Sequence, residues 1–433
     1  MRKQNKKKNK RRIKFKFKVF IIIGIIVILL MVGSIIIFNY LKHEKTLEEL
    51  KFKIEEVEGY YNDFVITTNE TDLYTFSNGK YVKNGLVGDG VYLSLDEGNA
   101  DYENGYFLIN NLIDDIESEY YVYYKDTEKV DNLITYDDRY KNYIPYNKTI
   151  VTNDKFSLYN EDDTLIYTFS GIKEMPIIIN KDDFYGVLFD DRILYIKSND
   201  IKEIKDVNNT DNKSTKEIAV LNYHFVYNPK VDVCDQIICH TEELFESHLK
   251  YIKDNNIFTP TLKELEMYID GNIQLPKSVV ITIDDGWHSL ESAALLNKYQ
   301  LNGTVFLITS GYDKGAIQSK YVETHSHTHD MHQPGVCPVG QGGGIQCLDE
   351  EIIQADLKKS RDRLNNTTYF CYPFYEYNNY SISQLKKAGF TMAFAGYNSG
   401  GNLRASVGID KFQIPRYVIY SNTSVNQLKS MIG

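Results

Sequence analysis

An apolar run in this chain, Val279-Val280-Ile281-Thr282-Ile283, stops abruptly in Asp284, Asp285 and Gly286. Successive side chains at the end of a strand point in different directions, so one carboxylate can ligate a metal while the other faces a water on it. The competing reading makes both acids caps for a helix expected from Ser289. A second cluster bears on that choice: residues 321–332 read YVETHSHTHDMH, with His325, His327, His329 and His332 inside eight positions. Imidazole and carboxylate together suit zinc and neighbouring divalent transition metals, and two histidines with one aspartate leave positions open for water and substrate. A surface histidine tract without a role is the bland alternative; histidines following a strand and a loop in the same α/β region as the carboxylates weigh against it.

The elements that must position these residues begin near residue 216. Strands are predicted at 217–221, 278–283, 304–308, 368–372, 392–395 and 412–414, and helices at 241–254, 261–269, 289–299, 350–364, 382–388 and 425–432. Apolar strands alternating with amphipathic helices imply a parallel sheet covered by helices, as a barrel or doubly wound, with the site at the C-terminal ends of the strands. The glycine-rich stretch 333–347 (QPGVCPVGQGGGIQC) reads as a loop over the cleft; it lacks the lysine and the βα context of a phosphate-binding loop.

Upstream the texture differs. Residues 2–18 hold eleven Lys or Arg and no acid, so the net charge of −10 leaves about −21 for everything after residue 18. A body this acidic is poorly suited to nucleic acid, which requires gathered Lys and Arg. The uncharged run 19–38 matches in length the roughly 30 Å hydrocarbon core of a bilayer. With the basic tail 1–18 before it, a transmembrane signal anchor with a cytoplasmic N-terminus and an extracellular body is expected. A cleaved secretory signal is the alternative, against which stand the length of the run and the lack of a small-x-small site after it.

Leu47, Leu50, Ile54 and Val57 then have helical spacing, which predicts a stalk over 41–58. From 59 to about 205, short alternating runs separated by Asn, Asp and Gly predict small antiparallel β-domains. An internal repeat is visible: Ile66-Thr67-Thr68-Asn69 precedes Leu73-Tyr74 as Ile150-Val151-Thr152-Asn153 precedes Leu158-Tyr159. The pattern resembles two bacterial SH3-like domains, 59–130 and 147–205, with cell-wall binding or simple spacing as their role and a polar linker at 206–216. Of the five cysteines, Cys234/Cys239 and Cys337/Cys347 would each close a short loop as a disulfide, leaving one thiol free.

Residues 217–433 as a domain resemble the polysaccharide deacetylase domain of the family-4 carbohydrate esterases (NodB homology), most clearly over 217–420. The family's Thr-Phe-Asp-Asp-Gly stands here as Thr282-Ile283-Asp284-Asp285-Gly286. That resemblance implies a distorted (β/α) barrel, Asp284 as catalytic base and Asp285 as ligand to a divalent metal, zinc first and cobalt or another transition metal next. For the family's His-Ser/Thr motif two registers compete: His327 with His332, favoured because Glu323 lies four residues before His327, or His325 with His329. The first is similar to a permuted branch acting on poly-N-acetylglucosamine and related glycans, in which a Tyr-His pair on the first strand supplies the general acid; Tyr223-His224 stands there.

The family's Arg-x-Pro-Phe/Tyr-Gly appears as Cys371-Tyr372-Pro373-Phe374-Tyr375. Cysteine in the arginine's place leaves Asp284 needing another partner, for which Arg416 is the candidate. A backbone N–H at Phe374 or Tyr375 is the expected oxyanion donor. Trp287, Pro373, Phe374, Tyr375 and Arg416 complete the expected substrate-side residues. The implied reaction removes acetyl groups from N-acetylglucosamine in a cell-surface glycan, with peptidoglycan first and poly-N-acetylglucosamine second. A wall-binding protein that has lost catalysis is the reading from another class, sustained by the missing arginine.

Overall fold

In a computed structural model of the chain, the residues described are 64–433, apart from 102–103, 110–118, 131–137, 209–212, 287–288, 312–316, 318, 397–400 and 402, together with eight scattered residues between 24 and 41. The basic tail, the stalk and most of the run 19–38 lie outside them; those described within that run, such as Gly33, Ser34 and Ile35, are helical. Among the described residues no helix is long and apolar enough to cross a membrane.

The chain forms two compact units. Among the described residues, the first contains those up to 130 together with 164–170 and 189–191. Its strand Phe64–Thr67 pairs antiparallel with Tyr92–Asp101 and Thr127–Lys129, and Thr71–Ser77 pairs with Lys80–Val87 and Tyr120–Tyr123. Leu165–Ser170 adds to Lys80–Val87. Alternate residues such as Leu73, Leu93 and Val122 are fully buried, as period-2 patterning requires. Asp190 ties this unit together from within, accepting from Ser94 N–H and Oγ at 2.8 and 2.7 Å and from the Tyr167 hydroxyl at 2.8 Å.

The second unit holds most of 137–433. The segment 147–205, expected as a domain of its own, therefore falls largely in the same unit as the α/β region. Its strand Lys148–Thr152 lies between Glu174–Pro176 and Ile201–Asp206. The apolar residues Ile178, Ile179 and Tyr195 share one core with Tyr268, Ile269 and Ile273. Arg139 pairs with the buried Glu264, whose carboxylate also accepts from Tyr143 at 2.9 Å.

Among the described residues the α/β region has seven parallel strands: β1 (Ala219–Tyr223), β2 (Val279–Ile283), β3 (Gly303–Leu307), β4 (Val322–Ser326), β5 (Tyr369–Cys371), β6 (Met392–Phe394) and β7 (Tyr417–Val418). Their order is β6-β5-β4-β3-β2-β1-β7. The segment leading into β7 also bridges β6, Ile414 against Phe394, with Ala395 N–H on the Ile414 carbonyl at 2.8 Å. The ring of strands thus closes as a distorted barrel. Val220, Val280, Phe306, Cys371 and Phe394 pack together in one cluster. Leu221, Ile281 and Val305 pack instead with the helices α1 (Glu242–Asp254), α3 (Ser289–Tyr299) and α6 (Val425–Ile432). Strands buried on both faces read as continuous apolar runs, which is why the sequence located them.

The helices start where their caps place them. Thr241 accepts from Leu244 N–H at 3.2 Å to begin α1, and Thr261 with Glu264 forms a capping box at α2 (Leu262–Ile269). Each such cap contributes about 1 kcal/mol. The remaining helices are α4 (Glu350–Arg363) and α5 (Asn379–Lys387). The strand expected at 412–414 is instead the single bridge at Ile414 followed by β7, and β4 was not foreseen. Cys234–Cys239 and Cys337–Cys347 are disulfides, and Cys371 is a buried free thiol.

Candidate active site

Asp284 leaves the end of β2 with its N–H on the Tyr223 carbonyl at 2.9 Å, which registers it against β1. Its side chain turns inward, where Arg416, just before β7, places Nη1 on Oδ1 at 2.8 Å and Nη2 on Oδ2 at 2.9 Å. Arg416 is itself fixed by donating Nε–H to the Ala395 carbonyl at 3.1 Å. Cys371, where the motif arginine was expected, puts Sγ 3.3 Å from Asp284 Oδ2 and 3.0 Å from Arg416 Nη2. A small neutral side chain there makes room for the guanidinium that arrives from another strand. Burial alone would raise the Asp284 carboxyl, but the Arg416 charge and hydrogen bonds hold it well below the usual carboxylate range. Burial pushes the Cys371 thiol up, so it stays protonated.

Asp285 breaks the strand geometry with φ +70°, and Gly286 follows at +88°. That left-handed φ is what favours glycine at 286, and a Cβ there would in addition meet Leu307 Cδ1 of β3 at 2.0 Å. The turn sends Asp285 away from Asp284 and toward two histidines, with Oδ1 3.4 Å from His327 Nε2 and 3.5 Å from His332 Nε2. His327 stands just past the end of β4, and its Nδ1 meets the Cys371 carbonyl at 2.9 Å. A carbonyl only accepts, so Nδ1 carries the proton and Nε2 offers a lone pair.

His332 returns to the site after a turn held by Asp356 of α4, whose two oxygens take the N–H groups of His329 and Asp330, each at 2.7 Å. The His332 ring then rests between His327 and Phe374, at centroid distances of 4.6 and 4.4 Å.

The other histidines of the cluster do not join Asp285. His325 turns among Phe306 and Tyr369 with Nδ1 on Thr367 Oγ1 at 2.6 Å, and His329 Nδ1 meets Thr309 Oγ1 at 3.0 Å. The donors of Asp285, His327 and His332 lie within 4.8 Å of one another, and Asp285 Oδ1 is buried without a hydrogen-bond partner. An orphaned carboxylate oxygen facing two imidazoles fits a divalent cation. The neighbouring set Asp284, His327 and Cys371 is equally compact, but both oxygens of its carboxylate are committed to Arg416.

His224 ends β1, and its Nε2 lies 3.2 Å from the Tyr375 hydroxyl, which in turn donates to Asn222 Oδ1 at 2.8 Å. Burial lowers the His224 pKa below its ordinary value, against the raising effect of Asp284 and Asp285. Pro373, Phe374 and Tyr375 form a short turn in which Phe374 and Tyr375 have φ +56° and +65°. Positive φ is a real outlier for bulky residues and carries a cost on the order of 1–3 kcal/mol each.

The Tyr375 N–H donates to the Tyr372 carbonyl at 3.1 Å, so its expected use as oxyanion donor is corrected; Phe374 N–H remains. Trp287 lies outside the described residues. Sequence reasoning passed over Asp356, the Cys371 carbonyl and the Asn222 side chain. A signal existed for Asp356, which shares the buried face of α4 with Ile353, Leu357 and Ser360.

Residues 272–393 match the family model described as polysaccharide deacetylase. Over 159 residues the chain is 28% identical to the polysaccharide deacetylase-like protein YxkH of Bacillus subtilis, a match covering 34% of this chain and 55% of that one. It thus spans little more than half of that relative's length. It is 25% identical over 217 residues to the poly-beta-1,6-N-acetyl-D-glucosamine N-deacetylase of Staphylococcus epidermidis, covering 45% of this chain and 72% of the other. Among solved structures, the deacetylase PplD of Streptococcus pyogenes aligns with TM-score 0.41 at 19% identity, over 50% of this chain and 98% of that one. IcaB from Ammonifex degensii aligns with TM-score 0.42 at 19% identity, over 51% and 98%.

Proposed function

We propose that the polysaccharide deacetylase-family domain this chain carries hydrolyses the N-acetyl group of N-acetylglucosamine units in an extracellular glycan. One observation carries the reading: Asp285, with an unpartnered buried oxygen, faces His327 and His332 beside an arginine-clamped Asp284. That is a carboxylate and two imidazoles for a divalent ion next to a second, separately held carboxylate.

Asp285, His327 and His332 would hold the metal, zinc first among the candidates, which when bound supplies Lewis acidity toward water and toward the acetamide carbonyl. Asp284 remains anionic across the working range and accepts the proton of the attacking water. Arg416 fixes its orientation and lowers its basicity, so the proton is passed on rather than kept. His224 delivers a proton to the departing amine. The Phe374 N–H is the remaining backbone donor for the developing oxyanion, and the Phe374 ring braces His332.

The missing motif arginine had sustained the reading of a wall-binding protein without catalysis; Arg416 on Asp284 removes that ground. Poly-N-acetylglucosamine moves ahead of peptidoglycan as substrate. The peptidoglycan reading rests on a cell-wall address drawn from the anchor and the SH3-like segments, whereas a relative carrying the β-1,6-linked polymer in its name supports the other. For location, the run 19–38 is read as a single anchor that leaves the domain outside the cell. The segments 59–130 and 147–205 are read as spacers rather than wall-binding modules, the second packed on the α/β region through the core it shares with Tyr268 and Ile269.

The test is free-amine formation by the purified chain on soluble poly-β-1,6-N-acetylglucosamine and on purified peptidoglycan. A higher kcat/KM on the first is expected, the reverse order restores peptidoglycan, and no amine from either ends the proposal.

A further inference from the structure

We propose that Tyr375 is a positioning residue that fixes His224 as its Nε2–H tautomer, leaving Nδ1 as the atom that hands the proton to the leaving amine. The inference rests on the deacetylase reading and deepens it, because the side chain concerned replaces the glycine of the motif that Cys371 to Tyr375 resembles.

Asn222, fully buried on β1, directs its amide Nδ2 to the Tyr223 carbonyl at 3.2 Å and so turns Oδ1 toward Tyr375. The Tyr375 hydroxyl has one proton and gives it to that oxygen at 2.8 Å. It can then only accept from the other neighbour, His224 Nε2 at 3.2 Å, which must carry a hydrogen. His224 is 7% exposed, and a buried imidazole rests neutral. Its Nδ1 is therefore a bare acceptor, and it is buried without a protein partner. An orphaned acceptor just past β1 is what a proton carrier needs. His248, buried nearby in sequence, instead has both ring nitrogens engaged, Nε2 with the Thr423 carbonyl at 2.9 Å and Nδ1 with the Tyr223 hydroxyl at 3.0 Å.

Tyr375 is held firmly enough to impose this choice. Its ring lies 5.3 Å from the Arg416 guanidinium carbon, and Gly396 permits its approach, since a Cβ there would stand 3.1 Å from Tyr375 Cβ. The left-handed turn is also braced from outside, with Glu376 accepting from Gln341 N–H at 2.5 Å and from Gln346 Nε2 at 2.9 Å, on the loop closed by Cys337–Cys347.

In the reaction the water oxygen bonds to the acetyl carbon and releases one proton. The C–N bond breaks with its electron pair on nitrogen, and that nitrogen takes one proton. The proton released by the water passes by way of Asp284 to the bare Nδ1, which hands it to that nitrogen, so His224 ends as it began and the acetic acid formed ionises to acetate.

The test uses full-length protein in detergent, labelled with ¹⁵N-histidine, in two-bond ¹H–¹⁵N correlation spectra at a pH where His224 is neutral. His224→Gln identifies the signal among the nine histidines. Wild type is expected to show the Nε2–H pattern. Tyr375→Phe should lose that bias and lower kcat roughly tenfold to a hundredfold, with KM within about twofold.

Asn222→Ala provides a second reading if the first variant folds poorly. The tyrosine proton, deprived of its amide acceptor, turns to Nε2 and drives His224 to Nδ1–H. A wild-type Nδ1–H pattern, or one unmoved in whichever variant folds, overturns the proposal. Absence of acetate release from wild type would sink the deacetylase reading alone, because the tautomer is read without turnover.

Discussion

Arg416 grips Asp284 with both terminal guanidinium nitrogens, at 2.8 and 2.9 Å, in a pair whose side chains are 0% and 2% exposed. Breaking a buried pair from one side leaves a charge without a partner, which costs about 3–5 kcal/mol. Arg416→Met is therefore expected to lower the thermal midpoint markedly and to abolish acetate release. Arg416→Lys keeps the charge but not the fork and should retain more stability than activity. Thermal unfolding and acetate assays on both variants check this; wild-type behaviour of Arg416→Met would mean the clamp does not hold Asp284.

Metal content separates the two histidine registers. Equilibrium dialysis with zinc should give one ion per wild-type chain, none after His327→Ala with His332→Ala, and one still after His325→Ala with His329→Ala. Stoichiometric binding by the first double variant would transfer the site to the other pair.

The pH profile follows from the direction of the His224 shift. Asp284 and Asp285 raise its pKa, Arg416 and His327 lower it, and burial, the largest effect, carries it below 6.5. Tyr375 and His240 also face it. A histidine that must be neutral at rest gives kcat/KM that rises with pH through a value below 6.5. Asp284, depressed further, adds no limb in the neutral range. Activity that falls as pH rises through that value would instead require a standing imidazolium.

Stability should decline on acidification. Burial lowers His325 to about 3 and His240 to about 4, while the unfolded chain titrates near 6.5. Between those values the unfolded state binds the extra protons, so stability is full above 6.5 and is lost as pH falls toward 4 and then 3. The slope is about 1.4 kcal/mol per pH unit for each histidine once well below 6.5. Thermal midpoints from pH 7 to 5 should fall, and less steeply in His325→Gln. Equal slopes would place the acid sensitivity elsewhere.

The sequence made β2 legible because five consecutive apolar or Thr residues end in two acids, a pattern that survives without tertiary information. It hid β4, whose Glu323, Thr324, His325 and Ser326 carry no apolar run. That strand is polar because its side chains hold neighbouring segments: Glu323 accepts from Leu262 N–H at 2.9 Å, Thr324 Oγ1 accepts from Ile317 N–H at 3.0 Å, and His325 and Ser326 meet Thr367 Oγ1 and Ser360 Oγ at 2.6 and 2.7 Å. Arg416 was visible only as a candidate, since nothing local says that a residue 132 positions from Asp284 closes the ring of strands beside it. Tyr375 was expected as a substrate-side residue and a backbone donor, because the hydroxyl's role depends on Asn222 and His224 meeting it across the barrel.

Acetate release by metal-stripped full-length protein, given back zinc or cobalt on N-acetylglucosamine polymer, tests the central claim most directly. No acetate is expected without metal, release on its return, and loss of that release in Asp284→Asn. Equal release with and without metal, or undiminished release in Asp284→Asn, would contradict it.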